Sequence, residues 1–243
     1  MVAPLRIPAG VNNAQIGSTS SSNAIKNNHP LWNYPQLDPT RLFQSFEDFA
    51  TYRTVDWTLT QIGTGTSALV AGVGGILQLT TTAASGDAVT IQHTSADHDI
   101  EASSGEQFWF STRVKPQLAS VPDYYFGMFN AAATVPASAT DGVYFHCNAA
   151  SANVDLVLKS ASTATTIASI STMADATWGV WSFYYDGKST LYYYKDKVLL
   201  GSTTTLTNFP AVTLAQLFHT KNGAAATNYL QVDYYMAAEE LTR

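Results

Sequence analysis

Residues 178–202, WGVWSFYYDGKSTLYYYKDKVLLGS, decide the fold. Three runs rich in aromatic and β-branched residues (178–185, 191–195 and 198–200) are separated by Asp186-Gly187 and Asp196-Lys197, and Gly201 closes the unit. Side chains of these types favour a pleated, half-buried surface. Asp-Gly supplies the positive-φ corner of a tight hairpin. The stretch reads as an antiparallel meander, and its apolar face requires more strands to cover it.

Those strands are found on both sides. Upstream, Trp57 to Ile62 alternates in polarity, Gly72, Gly74 and Gly75 mark a turn before a run at 76–81, and Ser85-Gly86-Asp87 precedes another at 88–93. EQFWFSTRVK at 106–115 puts Phe108, Phe110, Thr112 and Val114 on one face of a long strand. Further runs fall at 124–130, 143–147, 154–159 and 165–170, and downstream at 212–220 and 229–237. Roughly a dozen short strands with frequent turns are the pattern of a sandwich or barrel. LFQSFEDFATY at 42–52 spaces Phe43, Phe46 and Phe49 by three, which fits either a short helical turn or the start of a strand. No segment has the pattern of a long amphipathic helix, and no internal repeat is visible.

Composition bounds the rest. The chain has 243 residues, a length at which an all-β sandwich forms one domain, and its 46% apolar content is enough for a real core. Charged residues make up 12%, about half the usual share. The net charge of -6 and the lack of a Lys/Arg cluster argue against nucleic acid as a partner. The lone cysteine, Cys147, excludes an intrachain disulfide and reads as a small buried hydrophobe. Its neighbour His146 would point to the opposite face of a strand and could not act as its base. MVAPLRIPAG lacks the apolar core of a signal peptide, and no run is long enough to span a membrane. The expectation is a protein made and folded in a reducing cytoplasm.

Residues 1–40 differ from the body at 41–243. They are Asn/Ser-rich, broken by five prolines, and without regular apolar periodicity. A disordered tail is one reading. The other is an extended arm lying along a second surface, because Leu5, Ile7, Val11, Ile16, Ile25, Leu31, Trp32, Tyr34 and Leu37 are many apolar groups for a solvated linker.

The meander can now be compared with known folds. W-x-x-W-x-F-x-Y-D-G, then a Tyr-rich strand, a two-residue turn, an apolar strand and Gly, resembles the late hairpins of concanavalin A-like jelly rolls. That group includes laminin-G-like domains, legume lectins, pentraxins and several glucanases. Asp196-Lys197 stands where these often have Asn-Gly or Asp-Gly. The closing LQVDYYMAAEELTR is similar to their last strand. A narrower resemblance is to virion proteins of tailed bacteriophages, carried by three landmarks: Gly105 to Lys115, Tyr184 to Gly187 with its following strand, and Val232 to Glu239. It implies a head decoration or cement protein, with the major capsid protein and copies of itself as partners, in a trimer or dimer on the virion.

Candidate chemistry is sparse. Asp97, Asp99 and Glu101 would share one face of a strand. Glucanases of the resembling fold carry an E-x-D-x-E strand whose outer carboxylates, about 5–5.5 Å apart, perform a retaining hydrolysis. Asp97 is one methylene short for that part. The three acids otherwise read as a Ca²⁺ site, which many proteins of this fold possess, or as a solvated acidic connection. His29, His93, His98, His146 and His219 show no zinc spacing. No G-x-S-x-G elbow, phosphate loop or dinucleotide fingerprint occurs, although a triad assembled from distant residues leaves no sequence trace. The aromatic runs include Tyr124, Tyr125, Tyr192, Tyr193 and Tyr194, and alternation turns some of these rings outward. Outward tyrosines serve either a subunit interface or a glycan-binding groove.

The expectations are therefore an all-β, concanavalin A-like jelly-roll sandwich of two antiparallel sheets behind an N-terminal arm, acting without catalysis or a required cofactor. As a virion cement protein it would work through the arm. The alternatives are a lectin-like carbohydrate-binding module binding surface glycans and, third, a glycan hydrolase.

Overall fold

The computed structural model describes residues 42–101, 105–130 and 136–241. The proposed arm, from Leu5 to Leu37, lies outside the described residues, as does the side chain of Glu101. Sixteen strands are described: β1 (Leu42–Glu47), β2 (Trp57–Ile62), β3 (Thr66–Val70), β4 (Ile76–Thr80), β5 (Ala88–His93), β6 (His98–Glu101), β7 (Phe108–Pro116), β8 (Asp123–Phe129), β9 (Gly142–Cys147), β10 (Asn153–Ser160), β11 (Thr163–Thr172), β12 (Gly179–Tyr185), β13 (Leu191–Lys195), β14 (Val198–Thr203), β15 (Ala211–Lys221) and β16 (Tyr229–Glu240). A single 3-10 turn, Pro136–Ser138, is the only helical element among the described residues.

The strands form two antiparallel sheets. The first runs β14-β13-β12-β7-β16-β4-β3, and β1 also pairs with β16. The second runs β11-β10-β9-β8-β15-β5-β2, and β6 also pairs with β15. The two longest strands are the spines. Along β16, β4 takes Tyr229 to Val232 and β1 takes Tyr235 to Glu240. Along β15, β5 takes Leu217 to Lys221 and β6 takes Ala211 to Leu214.

Alternation in sequence becomes two faces in space. Phe108, Phe110 and Val114 turn inward with Trp181, Phe183 and Tyr185 of β12, and they meet Phe126, Phe145 and Leu156 of the other sheet. The sheets touch ring to ring, Trp181 lying 5.5 Å from Phe145 and 6.0 Å from Phe126. Farther along, Tyr235 lies 5.8 Å from Trp57 and 6.2 Å from Phe218. Truncating any one of these buried rings removes burial and leaves a cavity, costing about 3–5 kcal/mol. Cys147 is fully buried here, and burial pushes its thiol up to about 12. His146 faces the other way, as the alternation predicts.

Several readings change. The Phe43, Phe46, Phe49 spacing belongs to a strand, β1, because pairing with β16 satisfies its backbone. Residues 98–101 also form a strand, in which His98 and Ile100 point inward and Asp99 outward. Strand β3, short and facing solvent on most positions, had no pattern to announce it. Within the opening stretch the two tryptophans differ: Trp181 is buried, whereas Trp178 is half-exposed with Arg113 and Lys115 over its ring at 4.6 and 4.9 Å.

The two turns of the meander are built differently. Asp196 and Lys197 both have positive φ, 50° and 67°, the conformation of a two-residue I′ turn. Asp186 opens a longer loop, where its Oδ1 accepts the amides of Lys188, Ser189 and Thr190 at 2.9, 2.9 and 3.0 Å. Partial burial would raise this carboxyl, but the three amides outweigh it and hold it below the usual range. Gly187 has φ 73°, and a Cβ there would meet the Gly105 carbonyl oxygen at 2.4 Å. Gly187→Ala should lower stability by at least about 2 kcal/mol, since it combines a left-handed backbone with a backbone clash. Denaturant unfolding checks this, and an unchanged midpoint would refute it.

Candidate functional site

The outer face of the second sheet brings together residues that are far apart in the chain. Cross-strand register sets Thr90, His219, Tyr125, His146 and Asp155 in one row across β5, β15, β8, β9 and β10. The Tyr125 and His146 rings stack at 4.1 Å and 18°, and His219 meets Tyr125 edge-on at 5.5 Å. His146 Nε2 lies 3.0 Å from Asp123 Oδ1, which also accepts the Ala149 amide at 3.1 Å. Thr90 Oγ1 and His219 Nδ1 share a hydrogen bond of 2.7 Å. Tyr125, His146 and Asp123 are half-buried, whereas His219 is 1% exposed.

The electrostatics follow from these contacts. Desolvation would raise Asp123, but the hydrogen bond and charge of His146, with the Ala149 amide, bring it below its ordinary value. Burial raises Tyr125, so its hydroxyl keeps its proton at neutral pH. Burial pushes His219 down to about 3, leaving a neutral ring.

An apolar wall borders the row. Phe129, Ala139, Tyr144, Val157 and Leu217 form a second cluster on this face, with Tyr125 packed against it. Phe129 and Tyr144 stack at 4.4 Å. The partly exposed groups are Tyr125, His146, Asp123 and Asp155, and they lie over buried Thr90, His219 and the buried apolar cluster. These side chains can offer hydrogen bonds to a polyol, with the half-buried Tyr125 ring as an apolar neighbour.

The other sequence candidates fall elsewhere. Tyr124 is buried and donates to the Leu118 carbonyl at 2.8 Å, and Tyr193 sits in the main core, so neither is an outward aromatic. Tyr192 is half-buried on the outer face of the first sheet, where it stacks on Tyr184 at 5.8 Å and Tyr184 stacks on Trp109 at 5.3 Å. Tyr194 shares that face but is only 5% exposed. Asp97 and Asp99 are exposed. Among the described residues, no three His, Cys, Asp or Glu side chains group as a metal site.

A chain of polar groups between the sheets had no sequence signal. Ser45 Oγ and His98 Nε2 are 2.8 Å apart, Gln216 Nε2 donates to Ser45 Oγ at 3.0 Å, and His98 Nδ1 lies 3.6 Å from Glu239 Oε2. The order is that of a serine–histidine–acid relay. However, His98 and Glu239 are 1% and 4% exposed, and Phe43 and Phe108 flank the His98 ring at 4.9 and 5.7 Å. Desolvation raises Glu239, with His98 opposing. The chain links β1, β6, β15 and β16, and so joins the two sheets where their added strands meet.

No protein-family model matches the chain, and no curated protein matches it in sequence. Solved structures do match in fold. A protein of unknown function from Shewanella oneidensis MR-1 superposes with TM-score 0.57 at 16% identity, over 93% of this chain and 98% of that one. The Emp47p carbohydrate recognition domain gives 0.58 at 11% identity over 82% and 97%. Peanut lectin gives 0.53 at 10% identity over 83% and 99%. The chain thus has the concanavalin A and legume-lectin type of jelly-roll sandwich.

His219 gives a pH prediction. Between pH 6.5, its ordinary value, and about 3, the unfolded chain binds a proton that the folded chain refuses. Stability should therefore fall as pH drops below about 6.5, by up to about 1.4 kcal/mol per unit from this residue. Thermal melts of His219→Gln should show a flatter profile from pH 6.5 to 4. An unaltered slope would assign the acid sensitivity to another group.

Proposed function

We propose that the protein is a carbohydrate-binding β-sandwich module and that the row from Thr90 to Asp155, with Asp123, is its saccharide face. The observation that carries the reading is the Tyr125–His146–Asp123 arrangement, an amphipathic ring held rigidly beside polar groups on a sheet surface. Such sites join apolar contact to a few placed hydrogen-bonding groups. The lectin-like fold supports it at the level of architecture. The protein acts by binding, without catalysis. A glycan array should show binding, and Tyr125→Ala or His146→Ala should weaken it at least tenfold while melting temperature confirms folding. Tyr192→Ala, on the opposite face, should bind normally. No binding to any glycan, or loss only with Tyr192→Ala, defeats the assignment.

The virion cement reading is a second proposal. Its three landmarks fall on β12, β7 and β16, which are neighbours in one sheet. On this reading the protein sits on a phage capsid as a trimer or dimer, held by residues 1–40. Deleting those residues should release it from phage heads, and retention of the truncated body with unchanged head stability would end the idea.

A further inference from the structure

A small cavity of about 60 Å³ opens at one end of the first sheet, where the segment leading into β12 meets the end of β13. Its lining includes Met173, Trp178, Gly179, Trp181, Lys195 and Asp196. A water needs about 10–15 Å³ of such space, so the cavity has room for a group of several heavy atoms.

Three features there point to a ligand. Trp181 is 1% exposed, and its Nε1 is buried without a hydrogen-bond partner. Unmade buried donors are costly and need an explanation. A Cβ at Gly179 would lie 3.0 Å from Trp181 Nε1 and 3.8 Å from Lys195 Cε, so any larger residue there would crowd the indole nitrogen and the lysine stem. Lys195, the cross-strand partner of Trp181, holds its ammonium 5.2 Å from the Trp181 ring and gives one hydrogen bond to the Thr172 carbonyl at 2.6 Å. An ammonium has three donors, so two are left.

The lining itself carries one cation, Lys195, and one anion, Asp196. The chain has only 12 Lys and Arg, and three of them, Arg113, Lys115 and Lys195, gather around Trp178 and Trp181. Arg113 is paired with Asp233 at 2.7 Å. The Asp196 carboxylate on the rim has Oδ1 engaged by the Val180 amide at 2.9 Å. Lys115 and Lys195 have no carboxylate partner among the described ion pairs.

We propose that this cavity binds a carboxylate, with one oxygen accepting the Trp181 indole N–H and the other the Lys195 ammonium. The pairing explains the orphan donor, the glycine and the lysine together. The carboxylate comes either from a uronic acid sugar or from a small organic acid. This site is separate from the row on the second sheet, so it stands or falls independently of that reading.

The test is a titration of the full chain, followed through the five indole N–H signals in a proton–nitrogen correlation spectrum. The probes are sodium acetate, sodium glucuronate, glucose and sodium chloride. One indole signal should shift saturably with acetate, and the signal should be the one missing in Trp181→Phe. Glucose and chloride should leave it in place. Gly179→Ala fills the space without touching charge, and Lys195→Met removes the ammonium; each should weaken binding at least tenfold. Lys188→Met, on the 186–190 loop, should not. Should Trp181→Phe fail to fold, Gly179→Ala still identifies the signal by displacing it. A response to glucuronate as well as acetate supports a sugar acid as the occupant, and a response to acetate alone supports a small organic acid. No saturable shift with either carboxylate, equal shifts with chloride, or undiminished binding in Gly179→Ala overturns the proposal and leaves the cavity to water.

Discussion

The contact between the sheets through Trp181, Phe145, Phe126 and Phe183 is the constraint on which the rest of the molecule depends. Neither sheet can keep its inner aromatic face in water, and each is the cover for the other. Once that seam is fixed, the outer faces are fixed as well, because a strand has a period of two. Inward Phe126 forces Tyr125 outward, and inward Phe145 and Cys147 force His146 outward. The candidate saccharide row is thus the reverse side of the core, and a one-residue slip in β8 or β9 would bury it.

The two spines extend this logic. Strands β15 and β16 each carry two short partners in succession, and these are the places where polar groups had to be brought inside. The Ser45, Gln216, His98 and Glu239 chain lies where β1 and β6 are added. Near the other end, Thr81, Asn222 and Asn228 form a second buried set, with Thr81 donating to Asn222 Oδ1 at 2.7 Å and Asn228 donating to the same oxygen at 2.9 Å. Interior polar groups need such partners to offset lost hydration. Their specific geometry also fixes which short strand meets which part of the spine.

Much of the fold was legible because its signals are local. The Phe108 to Val114 alternation, the positive φ at Gly187 and the inert Cys147 follow from residue type and period, although Asp186-Gly187 opens a longer loop and not the tight hairpin its residues suggest. What escaped the sequence depends on pairing. Nothing near Ser45 announces His98, and nothing near Asp123 announces His146; only antiparallel register places them together. Tyr124 and Tyr125 show the same limit at single-residue scale. Both were candidates for an outward ring, and the face each takes was set by Phe126 and the register with β15. β3 and β6 were missed because short edge or added strands need little apolar patterning of their own.

The burial of Cys147 has a practical consequence. With its sulfur sealed beneath both sheets and its proton held up to about 12, the sole thiol is silent toward disulfide exchange and alkylation at neutral pH. A cysteine introduced anywhere on the surface would then be the one reactive handle on the molecule. Spectroscopic labels could be placed one at a time on either outer face without first removing a native residue.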